Sequence, residues 1–488
     1  MKMDNTGHKN TLPLPDPTFG LTLRLRLSNR TRILARIIAT IKKAGGSVSA
    51  IDLVSASETT ITRDFLVHPM SEAQGQRLLK ELTGMSGVEV LNISDQTLLT
   101  HLGGKLEIIS KQPIRTAADL AILYTPGVNR VCRTVAEHPE KIWGLTSKRN
   151  LVAVVSDGSA VLGLGNIGPA GALPALEANS QIFKIFGGVD AFPLCLTTQD
   201  AGEIIETLVR IAPSFGGISL VGLSSPRCFE ITEKLQALLE MPVYHDDQHG
   251  TSVVVLAALI NACRVTGRKL KECSVVLSGV GASGVGVAKL LLHMGVNQLI
   301  GCDTAGAIYK GRRENMNSIK EWFAEHTNPK NIKGTVDKAL RKADVFIGLS
   351  GPGTVKPAHI KAMANDSIVF SLASPKPEVD PEKIQFAGVI ATGRTDYANY
   401  VNNALAFPGI MRGCLDVRAS AVNIDMLASA AGALADVIPQ KKLQRGYIIP
   451  SLFNTDVARN VAAAVWESAR KTRVARRSAS SDYHDGHF

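Results

Sequence analysis

Leu21-Thr22-Leu23-Arg24-Leu25-Arg26-Leu27 alternates strictly between apolar and polar side chains, the period of a half-buried strand. Ile33, Leu34, Ile37, Ile38 and Ile41 then recur at helical spacing, and Gly45-Gly46 ends that helix. Val48–Val54 and Ile61–Val67 read as further strands. Ser71 is placed to cap a helix running to about Leu82, and Val88–Ile93 closes the set. The order βαββαβ predicts a small ferredoxin-like module over residues 20–95.

Beyond it the pattern changes to short, wholly apolar runs separated by glycine-rich turns, the signature of buried parallel strands in an α/β fold. Val152–Val155, Ser274–Leu277, Leu299–Cys302, Ala343–Ile347 and Ile368–Leu372 are such runs. Val285–Leu292 has helical spacing, as do the Ala-rich stretches Met426–Leu434 and Val457–Ala469. The chain therefore divides into the module at 20–95, an α/β domain at 103–265, a nucleotide-type domain at 266–425, C-terminal helices at 426–477 and a disordered tail at 478–488.

Composition narrows the class. A chain of 488 residues is too long for one ordinary domain. With 45% hydrophobic and 20% charged residues it reads as a folded, water-soluble protein. The apolar stretch Val253–Ala262 is about half of what a membrane span needs. The segment 1–20 is polar, Pro-rich and acidic at Asp4 and Asp16, unlike a signal or transit peptide. Seven cysteines without a CxxC pair fit a reducing cytoplasm. The net charge of +11 is partly local, since Arg470, Lys471, Arg473, Arg476 and Arg477 crowd one stretch, which reads as a solvated tail. No nucleic-acid motif accompanies it.

Two segments carry candidate chemistry. Ser156-Asp157-Gly158-Ser159 and Gly163-Leu164-Gly165-Asn166-Ile167-Gly168-Pro169 follow a buried strand, and His245-Asp246-Asp247-Gln248-His249-Gly250-Thr251 gathers ionisable groups between apolar runs. The second could equally be a turn with a helix cap. Gly279-Val280-Gly281-Ala282-Ser283-Gly284 is GxGxxG, with a strand before it, a helix after it and Asp303 at the end of the next strand. That order predicts a pyrophosphate site at Gly279, Gly281, Ser283 and Gly284 on a helix N-terminus. Asp303 is placed to accept from a ribose diol and to repel a 2′-phosphate, which favours NAD. The fold kept only as scaffold is the alternative.

The motifs together resemble malic enzyme, in the bacterial form preceded by an ACT module. The matching segments are Tyr124-Thr125-Pro126-Gly127-Val128, Ser156–Gly163, Gly171-Ala172-Leu173-Pro174, His245–Thr251, Gly279–Gly284 and Val401-Asn402-Asn403-Ala404-Leu405-Ala406-Phe407-Pro408-Gly409. The resemblance implies an NAD(P)-dependent oxidation of malate, decarboxylation to pyruvate and CO2, Mg²⁺ or Mn²⁺, and a homodimer. It implies a Lys base, a Tyr acid, and three carboxylates on the metal. Tyr124 occupies the Tyr position and Asp247, beside Asp246, the last metal position. In an ACT domain the first strand-to-helix turn carries a Gly where ligand backbone approaches. Here the turn is Ser28-Asn29-Arg30-Thr31-Arg32, which points to a structural or dimerising role.

Five positions depart from the malic-enzyme pattern. Glu177-Ala178-Asn179 stands where the family has Glu-Gly-Lys, and an amide cannot exchange a proton near neutral pH. Lys184 matches a different family lysine. Ser219-Leu220-Val221-Gly222-Leu223 stands where the family has Asn-Leu-Glu-Asp-Ile, so two metal carboxylates are lost at Val221 and Gly222. Ser374 replaces a substrate-binding Asn, and Thr197 replaces an Asp, whereas Asn402 and Asn403 remain to hold a substrate carboxylate. The changes converge on one mechanism. The favoured expectation is a malic-enzyme homologue with impaired or absent activity. The alternatives are an active enzyme with a rebuilt site, and a metal-independent dehydrogenase of another small acid.

Overall fold

A computed structural model describes residues 20–29, 32–69, 72–374 and 376–477. Ser71, Arg30, Thr31, the first 19 residues and 478–488 lie outside them, so the expected cap, part of the first turn and the predicted tail are not described. The chain forms two compact units, residues 1–105 and 106–488.

The first unit runs β1 (Leu21–Ser28), α1 (Ile33–Lys43), β2 (Ser47–Ala56), β3 (Thr60–His68), α2 (Glu72–Thr83), β4 (Val88–Asp95). Its sheet has the order β2-β3-β1-β4, with β1 antiparallel to both neighbours. The alternation of β1 is realised as built: Leu23, Leu25 and Leu27 are buried with Ile37, Ile41, Leu78 and Leu82. On the other face Arg24 opposes Asp64 across the ladder and grips it through two 2.8 Å hydrogen bonds.

The second unit holds two sheets joined by one large core, with a second, smaller hydrophobic cluster against the second sheet. After helices α3 (Ala117–Leu123) and α4 (Gly127–Glu137), the first sheet comprises β5 (Leu151–Ser156), β6 (Asp190–Cys195), β7 (Gly217–Leu220) and β8 (Val243–His245). These pair in parallel in the order β6-β5-β7-β8. The crossovers are α5 (Gly168–Gly187), α6 (Ala201–Ile211) and α7 (Arg227–Leu238). Helix α8 (Thr251–Thr266) follows and is buried along most of its length, so its apolar stretch serves the core.

The second sheet contains β9 (Ser274–Ser278), β10 (Gln298–Asp303), β11 (Gly306–Ala307), β12 (Val345–Gly348), β13 (Ile368–Ser371) and β14 (Val389–Thr392), with α9 (Ala282–His293) after β9. The order is β11-β10-β9-β12-β13-β14, parallel except at the short β11. The chain closes with α10 (Phe407–Asp416), α11 (Ile424–Asp436) and α12 (Asp456–Lys471).

The basic C-terminal stretch departs from expectation. Arg470 and Lys471 belong to α12, the N–H groups of Arg476 and Arg477 both donate to Val417 O at 3.0 Å, and Arg476 pairs with Glu240 at 2.6 Å. Residues to 477 are docked, because Val474 and Ala475 pack on the core and pull their charged neighbours with them.

One close approach joins the sheets. The turn Asp246–Gly250 lies so near α9 that a Cβ on Gly286 would meet Gln248 O at 2.1 Å. We expect Gly286→Ala to destabilise the chain by about 1–3 kcal/mol, the usual cost of overpacking. Urea unfolding followed by circular dichroism would measure it, and an unchanged midpoint would show that the turn can retreat.

Candidate functional site

The strand ends meet at a cavity of about 580 Å³. Ser156 ends β5, Val221 and Gly222 follow β7, Asp246 and Asp247 follow β8, and Leu349 and Ser350 follow β12. Ser374 after β13 and Gly393 after β14 complete that rim. Ligands of parallel α/β folds bind at this carboxyl edge, where loops diverge and leave a crevice.

Most of the expected residues are gathered there. Asn179 on α5, Val221, Gly222, Asp246, Asp247, Ser283, Ser374, Asn402 and Asn403 all line the cavity. Tyr124 does not: it caps the end of α3 with its side chain 65% exposed, among exposed Leu120, Ile122 and Leu123. Within one chain the phenol and Asn179 are therefore not brought together, because α3 has no core of its own to pack its apolar face against. Lys184 is also away from the cavity, its Nζ donating to Asp190 at 2.6 Å.

The acidic turn is a five-residue π-helical turn that runs directly into α8. Asp246 is buried, and its carboxyl is pushed up to about 7, by burial first and by the neighbouring Asp247 charge second. Asn403 Nδ2 donates to Asp246 Oδ2 at 3.2 Å and also to its carbonyl. Thr251 Oγ1 donates to Asn403 Oδ1 at 3.2 Å. Asn402 Nδ2 donates to the Tyr400 hydroxyl at 2.7 Å, and Asn402 Oδ1 accepts from Ala404 N at 2.9 Å. Both amides are thus engaged within the protein, and a substrate carboxylate would have to displace these partners.

Asp247 is held beside Val221 and Gly222, the two positions where the sequence pattern leads us to expect acids. Its Oδ2 accepts from the Gly222 N–H at 3.0 Å. Gly222 has φ +63°, the left-handed region, and a Cβ there would meet Ala160 O at 3.0 Å. His245 lies alongside, its Nδ1 3.9 Å from Asp247 Oδ2, with no hydrogen bond to either ring nitrogen. Burial pushes the His245 ring down to about 3, so it stays neutral.

These residues do not fit a divalent cation. Hard cations need several oxygen ligands converging on one point. Among the described residues no group of three His, Cys, Asp or Glu is so arranged. The Gly222 amide presents a donor hydrogen where a metal would need a lone pair.

The dinucleotide residues fit better. Gly279 closes against Leu349 O and Gly284 against Gly279 O, while a Cβ on Gly281 would meet nothing within 4 Å. That leaves room before the N-terminus of α9. Asp303 differs from expectation. Its oxygens accept from Arg312 Nη2 at 2.8 Å each, and Lys320 Nζ and Asn315 Nδ2 approach the same carboxylate at 2.8 and 3.1 Å. Two cations around one acid leave this corner net positive, so repulsion of a 2′-phosphate does not follow from Asp303.

Sequence reasoning missed several members of the site. Tyr400 and Ser350 line the cavity and carry no motif that singles them out, and Thr251, at the end of the His245–Thr251 segment, was given no role of its own. Asp157, in contrast, is fully buried and spent on structure: it pairs with Arg227 and accepts from the Ser159 hydroxyl at 2.6 Å. Its glycine-flanked loop signals a tight turn, and the carboxylate ties that turn to α7.

Comparison with known proteins agrees with this architecture. Residues 103–236 match the malic enzyme N-terminal domain and residues 248–470 the malic enzyme NAD-binding domain. The chain is 48% identical to the NAD-dependent malic enzyme of Geobacillus stearothermophilus over 94% of its own length and 96% of that protein. It is 46% identical to the bifunctional malic/malolactic enzyme of Bacillus subtilis (strain 168), over 76% of this chain and 92% of that one. The crystal structure of malic enzyme from Pyrococcus horikoshii Ot3 superposes with a TM-score of 0.74 at 43% identity, covering 77% of this chain and 89% of that one. With two family domains matched in order, on the two sheets whose strand ends wall the cavity, this chain belongs to the malic enzyme family.

Proposed function

We propose that this chain is a malic-enzyme homologue in which NAD-dependent oxidative decarboxylation of malate to pyruvate and CO2 is impaired or lost, while NAD binding is retained. The observation that carries this reading is the charge of the cavity. Among the described residues its lining includes the carboxyls of Asp246 and Asp247 and no Lys, Arg or His. Malate is a dianion. Two like charges at about 4 Å cost on the order of 4 kcal/mol at an effective dielectric near 20. A good hydrogen bond to a charged group contributes about 1.5–3 kcal/mol. Three such bonds, from Asn402, Asn403 and Ser374, would sum to more than that repulsion, but both Asn amides are already engaged within the protein, so little of that attraction is left for a dianion.

The reaction itself lacks its helpers. The hydroxyl proton must leave as hydride departs, and Asn179 cannot take it. Loss of such acid–base help lowers a rate by roughly 10²–10⁴. No cation polarises the oxygen or holds an enolate, so a further several kcal/mol of stabilisation is missing. NAD, when bound, supplies the hydride acceptor; Gly279, Gly281, Ser283 and Gly284 are the residues placed to hold it.

A second copy of the chain completes the picture. Ile108, Ile109, Ile114, Leu120, Ile122 and Tyr124 are all exposed on residues 106–124. So large an apolar surface is unusual for a monomer. We propose that the homodimer covers it. The first unit is proposed as an ACT-type module with a structural or dimerising role, which its βαββαβ order and outward-facing Leu53 and Ile93 support.

Purified protein given malate, NAD and Mn²⁺ should form no NADH above the enzyme-free blank, yet NAD should bind in a calorimetric titration. Steady turnover would refute the impaired reading and favour a rebuilt active site or a metal-independent route. Asn179→Lys, Val221→Glu and Gly222→Asp combined should recover a measurable malate rate, limited by the strain at position 222. Light scattering after size exclusion should give about twice 52.0 kDa, and Ile122→Asp should shift it toward monomer; a wild-type monomer at micromolar concentration would sink the dimer. Free amino acids should leave the melting temperature within about 1 °C of the control, since a saturated ligand typically raises stability by about 2–3 kcal/mol or more. A larger shift would assign the first unit a ligand.

A further inference from the structure

The second unit contains a smaller cavity, of about 120 Å³, at the far end of α10 from the strand-end site. Phe407 at the start of α10 lines the large cavity, whereas Arg412 and Asp416 near its end line the small one. Arg149, Arg418 and Arg477 reach the same space from three other parts of the chain, and Trp143 forms a wall. Four guanidinium groups thus converge with a single carboxylate in the lining.

That carboxylate is already taken. Arg412 Nη2 donates to Asp416 Oδ1 at 2.6 Å, and Arg412 Nη1 donates to Asn150 Oδ1 at 2.6 Å. Arg412 is only 3% exposed, and its Nε has no hydrogen-bond partner. Arg418 lies over the Trp143 ring at 5.6 Å, with the Lys148 ammonium 5.1 Å from the same ring. Lys148 is satisfied by the carbonyls of Ala212, Pro213 and Phe215. Arg477 Nη1 donates only weakly, at 3.4 Å, to the Asp416 carbonyl. Burial lowers the Arg418 pKa, and the charges of Arg477 and Arg149 lower it further.

Crowding these cations costs free energy, and nothing in the main cavity needs them. A planar guanidinium fork matches an oxyanion in two-point geometry, and several forks around one hollow make a polyanion site. We propose that this cavity binds a compact oxyanion of two or more charges, of phosphate or polycarboxylate type. The proposal is independent of whether the main cavity turns over malate.

Calorimetric titration of the full chain tests it, with inorganic pyrophosphate in one series and citrate in another, at ionic strength fixed with NaCl. At least one should bind saturably, once per chain. Arg418→Gln and Arg477→Gln should each weaken that binding about tenfold or more, the loss of one charge-assisted contact. Arg418→Lys should fall between, since it keeps charge but not the fork. Thermal melts would establish that the variants remain folded. Pyrophosphate also resembles part of a dinucleotide, so the titration is repeated with saturating NAD. Binding of pyrophosphate alone assigns a phosphate ligand, of citrate alone a carboxylate ligand. Absence of saturable binding, binding unaffected by both glutamine variants, or binding abolished by NAD would overturn the proposal.

Discussion

The second unit depends on how closely two parallel sheets can bring their carboxyl edges together. The turn Asp246–Gly250 is the wedge. It leaves β8 of the first sheet, touches α9 of the second at Gly286, and runs into the buried helix α8. A single missing side chain sets that separation. With that close approach, the acids after β8 and Ser283 at the start of α9 share one cavity.

Within the cavity both acids are met by neutral donors of this chain. Gly222 N–H, a neutral donor, now partners Asp247, and Asn403 partners Asp246. These bonds keep a buried acidic pair tolerable without a cation, since a buried carboxylate is stable only when its lone pairs are met or its charge is suppressed. The pocket is internally satisfied, which is the structural counterpart of its proposed chemical quietness. The arginine cavity at the other end of α10 is the opposite case, with four guanidinium groups and one carboxylate in its lining and the buried Arg412 Nε without a partner.

Much of this was legible in the chain. Uninterrupted apolar runs gave β5, β9, β12 and β13, because strands buried on both faces need no polar side. The alternation of β1 and the spacing of Ile33, Ile37 and Ile41 placed the first unit's core. Other elements left weaker traces. β6 is a half-buried edge strand containing Pro193, and Gly217 and Ser219 interrupt β7, so neither forms an uninterrupted apolar run. The environments of Tyr124 and Asp303 were not legible, since no motif assigns Arg312 and Lys320 to Asp303 and nothing in the Tyr124 motif signals that it lies exposed. The basic C-terminal stretch misled because charge density says nothing of the apolar residues interleaved with it.

The conformation of Gly222 also has a historical consequence. A carboxylate added at that position alone would place a third negative charge beside Asp247, force a side chain into left-handed backbone, and crowd the Ala160 carbonyl. A carboxylate added at Val221 alone would meet the same repulsion with no ion to relieve it. Either single change alone is thus expected to lower stability, so acids at both positions and an ion to pair with them would have to arrive together.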